Sequence, residues 1–382
     1  MTPRVRVKPA LLQWACKRAQ VDPERLRKRF SKYDDWESGT LKPTLRQVEE
    51  FARFTHVPIG TLFMSKPMKE EMPIQDLRTV GDQEILKPSA NLLDTIYLCQ
   101  QRQDWYQTFA LAEGEEPLSF VGSATVESDV EATAKKIRTT LGFGVEERKA
   151  LQNWTCALRY FVDQADDLGI LVMISGVVGN NPHRKLDPQE FRGFALADDL
   201  APLIFINGAD FKAAQIFTLA HELAHIWLGK SGLSNVTPDS FPSHKTERWC
   251  NQVAAELLVP AASLRENFRE DTDLSDELQR LARYYKVSTL VVLRRLLDIG
   301  VLQRNKFMEQ YRHELGQLKP KRGSGGGNFH ATLKTRVGRR FGEALVDSTL
   351  AGQTLFTDAF HYLGIKKTST LDAFAESLRA GN

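Results

Sequence analysis

Apolar residues recur at helical spacing along most of the chain, and the exceptions are concentrated in one short region. The run "SANLLDTIYLCQQRQDWYQTFA" (89–110) carries strong apolar periodicity and no breaker, and predicts a long helix. "VEATAKKIRTTLGFG" predicts a second helix closed by glycine. Three short apolar runs follow, "GILVMISG", "FRGFALAD" and "PLIFIN", each bounded by Gly, Pro or Asp, and predict strands. Directly after them "FTLAHELAHIWLG" (217–229) returns to helical periodicity. Residues 231–246 are rich in turn formers and read as loop. Helix resumes at 247 with "ERWCNQVAAELL" and closes at Pro260.

The two flanks are helical. In residues 1–65, Leu11, Leu12, Trp14 and Ala15 begin an amphipathic helix. Asp22-Pro23 is a helix start with Asp as cap and Pro at the first position. "WESGTLKPT" is a turn, and "LRQVEEFARF" places Leu45, Val48, Phe51 and Ala52 on one helical face. Pro67 and Pro73 bound a linker. Residues 274–302 read as two helices joined at Lys286-Val287 with Ser288 as a cap, a helix-turn-helix shape. "KPKRGSGGGN" (319–328) has the composition of a flexible linker, and residues 329–380 form a last helical unit. The expected fold class is therefore α+β, mostly helical, with one small sheet.

Composition narrows the class. A chain of 382 residues with 42% hydrophobic and 26% charged residues is globular and long enough for two or three domains. Cys16, Cys99, Cys156 and Cys250 lie far apart without CxxC pairing and read as reduced thiols. No apolar run has membrane-span length, and "MTPRVRVKPA" is followed by no apolar signal region, so the expected location is the cytoplasm with no membrane contact. The net charge of +3 hides a polarity: residues 1–70 hold 15 basic and 8 acidic side chains, 71–300 hold 23 and 33, and 301–382 hold 13 and 7. Basic ends admit nucleic acid as a partner, but solvated surface, or contact with the acidic middle, is the preferred reading.

The chemistry-bearing stretch is His221-Glu222-Leu223-Ala224-His225. Residues four apart share a helix face, so both imidazoles reach one ion, and Glu222 is placed to act as general base instead of ligand. The alternative is a buried helix with hydrogen-bonded histidines, but burying two imidazoles and a carboxylate without partners is costly. A zinc hydrolase needs a third protein ligand. Leu228 and Ser231 stand where the extended zincin motif needs Gly and His, so the ligand comes from further on. Glu247 is preferred, because it opens a helix and Asn251 lies one turn later on the same face, suited to orienting the ligands. His244 and Glu256 are the alternatives.

Taken together, "FINGADFKAAQIFTLAHELAHIWLG" and "ERWCNQVAAELLVP" resemble the ImmA/IrrE family of zinc-dependent metallopeptidases across roughly 170–300, with Cys250 where alanine is usual. The resemblance implies a zincin-like core, Zn2+ held by His221, His225 and Glu247, and Glu222 as base. It further implies hydrolysis of a regulatory protein, and a toxin-like partner as a second candidate. The motifs do not carry an oxyanion-stabilising residue; His244 and Tyr160 are candidates. Residues 9–64 resemble an Xre-type helix-turn-helix, but the stretch from Leu26 to Trp36 is about four residues short for that fold. Its "SKYDDWE" is acidic, and Asp34, Asp35 and Glu37 would repel phosphates. It therefore reads as a degenerate module suited to docking a protein, with Arg25, Arg27, Lys28 and Arg29 the best argument for DNA.

The expected organisation is an Xre-like domain (1–70), a helical linker region (71–160), a zinc metallopeptidase core (161–272), a helix-turn-helix-like unit (273–318), a flexible linker (319–328) and a C-terminal helical unit (329–382). Two functions fit: a zinc endopeptidase acting on a repressor- or antitoxin-type protein, or a non-catalytic, antitoxin-like regulator working through its flanking modules.

Overall fold

A computed structural model describes residues 3–78, 88–235, 244–317 and 329–380. The sequence-based linker 319–328 and the centre of the loop read at 231–246 lie outside them. The chain divides into two compact units, Met1–Pro73 with Leu86–Asp94, and Ile74–Ile85 with Thr95–Asn382.

The first unit holds α1 (Pro9–Arg18), α2 (Pro23–Arg29), α3 (Tyr33–Ser38) and α4 (Leu45–Thr55), then a 3₁₀ turn at Ile59–Phe63. Asp22 caps α2 by accepting from the Glu24 and Arg25 amides, and Thr44 with Gln47 forms a capping box on α4. The short α3 is used for packing. Its Tyr33 and Trp36 are buried, Tyr33 stacks on Phe51 with centroids 5.9 Å apart, and Trp36 lies 5.8 Å from Phe30. Asp34 and Asp35 remain outside, and Asp34 pairs with Arg27 at 3.2 Å. The exposed face of α2 presents Arg25, Arg27, Lys28 and Arg29.

The second unit is mostly helical around one mixed sheet. Helix α5 (Ala90–Glu113), which enters this unit at Thr95, is followed by α6 (Val130–Leu141), α7 (Val145–Lys149) and α8 (Trp154–Asp167). Strands β1 (Leu171–Ser175), β2 (Gly193–Leu196) and β3 (Leu203–Asn207) fall within the three apolar runs. All their residues are buried, as continuous apolar strands require. Helix α9 (Lys212–Trp227) carries the HExxH motif, and β4 (Gly232–Ser234) follows at once. The sheet order is β1-β3-β2-β4, with β1 parallel to β3 and both other pairings antiparallel. Strand β4 corrects the loop reading of 231–246. Its three residues carry no strand pattern, and it exists because Phe194 pairs with Leu233.

The remaining helices are α10 (Lys245–Leu258), α11 (Ala261–Asn267), α12 (Leu274–Tyr285), α13 (Thr289–Asp298), α14 (Arg304–Gln317), α15 (Phe329–Val337), α16 (Arg339–Leu350), α17 (Phe356–Leu363) and α18 (Thr368–Arg379). The α12–α13 turn has the expected form: Lys286 is left-handed at φ 54° and Ser288 accepts from the Val291 amide. Helix α10 packs on α9 and α6, and α15 packs on β1. The core continues from the sheet through α9 and α10 to α13, and Leu219, Leu223, Trp227, Val253, Leu257 and Leu293 are all sealed from solvent. Each such side chain contributes about 1.5–3 kcal/mol by burial. That core holds the two motif helices in fixed register.

Candidate metal centre

Helix α9 is anchored before its motif begins. Asn207, at the end of β3, donates to the Phe191 carbonyl at 3.1 Å and accepts from the Ala209 amide. Gln215 donates to the carbonyls of Gly208 and Asp210 at 3.2 and 2.7 Å. These bonds satisfy the strand-to-helix turn and fix the phase of α9 against the sheet. Strand β2 then lies directly on the helix. A Cβ at Gly193 would meet Thr218 Cγ2 at 2.6 Å, the Phe205 carbonyl at 2.9 Å and Glu222 Oε1 at 3.1 Å. Only glycine permits that approach.

One helical turn apart, His221 and His225 bring their Nε2 atoms to 3.1 Å. Glu247, in the first turn of α10, places Oε2 3.3 Å from His221 Nε2 and Oε1 3.0 Å from His225 Nε2. The three residues are buried and offer donor atoms within 4.8 Å of one another. Tetrahedral zinc with Zn–N bonds near 2.0–2.1 Å sets its ligand atoms roughly 3.3 Å apart. The spacing observed therefore fits one shared ion, and so does the donor set of two imidazoles and a carboxylate. Two facing imidazole nitrogens and a carboxylate, all out of water, form an arrangement that a cation relieves. The Nδ1 atoms of both histidines have no hydrogen-bond partner among the described residues.

Electrostatics separate the two glutamates. Burial would raise the Glu247 carboxyl, but His221 and His225 outweigh it and hold the group at about 2. Burial pushes Glu222 up to about 8, against the lowering influence of His225 and of a hydrogen bond from Ser234, while Glu247 pushes the same way as burial. One carboxylate is thus kept ionised, as a ligand must be, and the other has an affinity for protons suited to transferring them. Cys250, buried beneath them, is pushed well above the usual thiol range, first by desolvation and then by Glu247 and Glu222, and stays a protonated thiol.

The other sequence-based candidates fall elsewhere. Glu256 forms a buried ion pair with Arg295 and accepts from the Ala261 amide at 3.2 Å. It is a structural anion on the far side of α10. His244 is exposed at the N-terminus of α10 and outside the converging group. Tyr160 donates to the Gly142 carbonyl at 3.0 Å. Asn251 lies one turn after Glu247, and its buried side-chain oxygen has no partner among the described residues. Ser234 was not legible in sequence: on β4, wholly buried, its hydroxyl donates to Glu222 Oε1. That bond leaves Glu222 Oε2 as the oxygen without a partner among the described residues.

Residues 165–297 match the model of a peptidase family, described as the IrrE N-terminal-like domain. The matched IrrE-like region begins near the end of α8 and runs into α13, so it contains the sheet, both motif helices and Glu256's partner Arg295. Residues 337–377 match a domain of unknown function. No curated protein matches the chain. Similarity to an IrrE-like peptidase domain, together with the buried His-His-Glu group, supports a metallopeptidase with a place for one metal ion.

Proposed function

We propose that the chain is a zinc-dependent endopeptidase that cleaves a regulatory protein of repressor or antitoxin type. The observation that carries this reading is the convergence of His221, His225 and Glu247 beside a second, differently tuned carboxylate, Glu222. His221, His225 and Glu247 would hold the ion. Bound there, zinc supplies a Lewis acid that polarises a scissile carbonyl and acidifies water near neutral pH.

The chain's own residues do the rest. Ser234 holds Glu222 Oε1, so the carboxylate presents Oε2 in one orientation. Glu222 takes the proton of the attacking water on that oxygen and returns it to the leaving amine. Gly193 leaves room for that carboxylate between β2 and α9. Among the described residues no helix is long and apolar enough to cross a membrane, and no two of the four cysteines are bonded. We place the protein in the cytoplasm on that basis, facing a protein substrate.

Glu222→Gln should retain stoichiometric zinc, measured by elemental analysis, and should lose cleavage by at least 10²-fold. It should also trap the natural substrate for identification by mass spectrometry. Full cleavage by the variant would end the reading. A non-catalytic regulator is the second reading, favoured by the exposed basic face of α2. It predicts that Glu222→Gln keeps the biological effect while removal of residues 1–70 or 305–382 abolishes it. Under that second reading DNA, or a toxin-like protein, is the partner.

A further inference from the structure

His221, Glu222 and His225 are 0% exposed and Glu247 is 3% exposed, so a polypeptide has no access to them in this conformation. The chain itself occupies the adjoining surface. On one side β4 pairs with β2, and its other edge is taken by residues 75–77. The Leu233 amide donates to the Gln75 carbonyl at 2.9 Å, and the Leu77 amide donates to the Leu233 carbonyl at 3.0 Å, a parallel bridge centred on Asp76 and Leu233.

The side chains say which face this segment covers. Gly232 and Ser234 are two residues apart and share one face of β4, and Ser234's face carries Glu222. A Cβ on Gly232 would lie 2.5 Å from Leu77 Cδ1, so Leu77 fills the space over Gly232 on that same catalytic face. Parallel register then carries Arg78 alongside the end of β4, where it is buried. Its guanidinium is clamped to Asp76 at 2.6 and 2.8 Å and reaches the Glu190 carbonyl at 3.4 Å. A sheet edge with backbone groups to satisfy recognises an extended peptide by strand addition, and alternate side chains then confer selectivity.

We propose that Gln75–Arg78 is an internal pseudosubstrate strap. It holds the β4 edge that an extended substrate peptide must take, and Leu77 fills the subsite of an apolar substrate side chain. Among the described residues the strap is fastened by two backbone hydrogen bonds to Leu233, the Leu77 side chain over Gly232 and the buried Arg78 at the Glu190 carbonyl, contacts that an incoming strand can exchange for its own. In sequence it interrupts the first compact unit, whose residues both precede it, to Pro73, and follow it, from Leu86. The inference rests on the peptidase reading, which it deepens by naming the substrate as an extended strand with an apolar residue.

The test uses the zinc-loaded full chain, Leu77→Asp to expel the strap, and Arg78→Ala to release its clamp without touching β4. Three measurements are made on each: hydrogen exchange of the Leu233 amide, binding of a fluorescein-labelled peptide spanning residues 72–78, and cleavage of β-casein. The expected result is at least tenfold faster exchange at Leu233 in Leu77→Asp, with a smaller acceleration in Arg78→Ala. Labelled peptide should bind the variants and not the wild type, and casein cleavage should rise severalfold. Unchanged Leu233 exchange in both variants, or equal peptide binding by variants and wild type, would overturn the strap. Faster exchange and peptide binding, with no form cleaving either casein or the protein trapped by Glu222→Gln, would uphold the docking edge and overturn the peptidase reading beneath it.

Discussion

Ser234 shows how one hydroxyl can fix the orientation of Glu222, the carboxylate proposed to transfer protons. Its bond to Glu222 is between a neutral donor and a group that works in its charged form, an interaction worth about 1.5–3 kcal/mol. Ser234→Ala should therefore lower kcat roughly 10- to 100-fold with little change in KM and full zinc content, as steady-state kinetics and elemental analysis would report. Asp166, at the end of α8, offers a pH test away from the metal. Burial raises its carboxyl to about 7, despite Arg339 at 3.8 Å and a hydrogen bond from the Val172 amide. The folded value lies above the unfolded one, about 3.9, so the folded state binds the proton more tightly. This group's contribution to stability is fully present below pH 4 and is lost as pH rises towards 7. Asp166→Asn should flatten that part of the pH profile and raise stability at pH 8, as urea unfolding at a series of pH values would show.

Helix α10 carries two buried glutamates with opposite duties, and its phase separates them. Nine residues at 3.6 per turn set Glu247 and Glu256 about 180° apart around the axis. Glu247 faces α9 and the histidines, and Glu256 faces Arg295 on α13. Glu247→Gln should lose zinc while Glu256→Gln keeps it, by elemental analysis. Arg295→Leu should instead destabilise the fold by about 3–5 kcal/mol in denaturant, because it strands a buried carboxylate. This much was legible in sequence: apolar runs marked β1, β2 and β3, and Glu247, preferred as third ligand because it opens a helix with Asn251 one turn later, is the carboxylate that converges with His221 and His225. What sequence could not show was β4 and everything that depends on it. A three-residue strand has too little pattern to read, and Ser234, Gly193 and Leu77 matter through contacts between positions distant in the chain. The same limit applies to α3, whose acidic stretch was legible but whose Tyr33 and Trp36 proved to be core residues.

For the whole molecule, the proposed metal site would link ion binding to folding of the second unit. A buried His-His-Glu group can bind an ion only when α9 and α10 are docked, so the zinc we propose there would stabilise the docked form by mass action. At about a hundredfold excess over its dissociation constant the ion adds about 2.7 kcal/mol. A thermal shift of several degrees upward with zinc, absent in Glu247→Gln, is the expected outcome. Both ends of the sheet are sheltered within this unit, β1 by α15 and β4 by the strap. An unguarded strand end is a template for other chains, including identical ones. Strap release would therefore give each molecule a sticky border that lasts until a peptide fills it. At high protein concentration and without a peptide, the switched-on form would pair with its own kind, and self-association would compete with the work the release was meant to start.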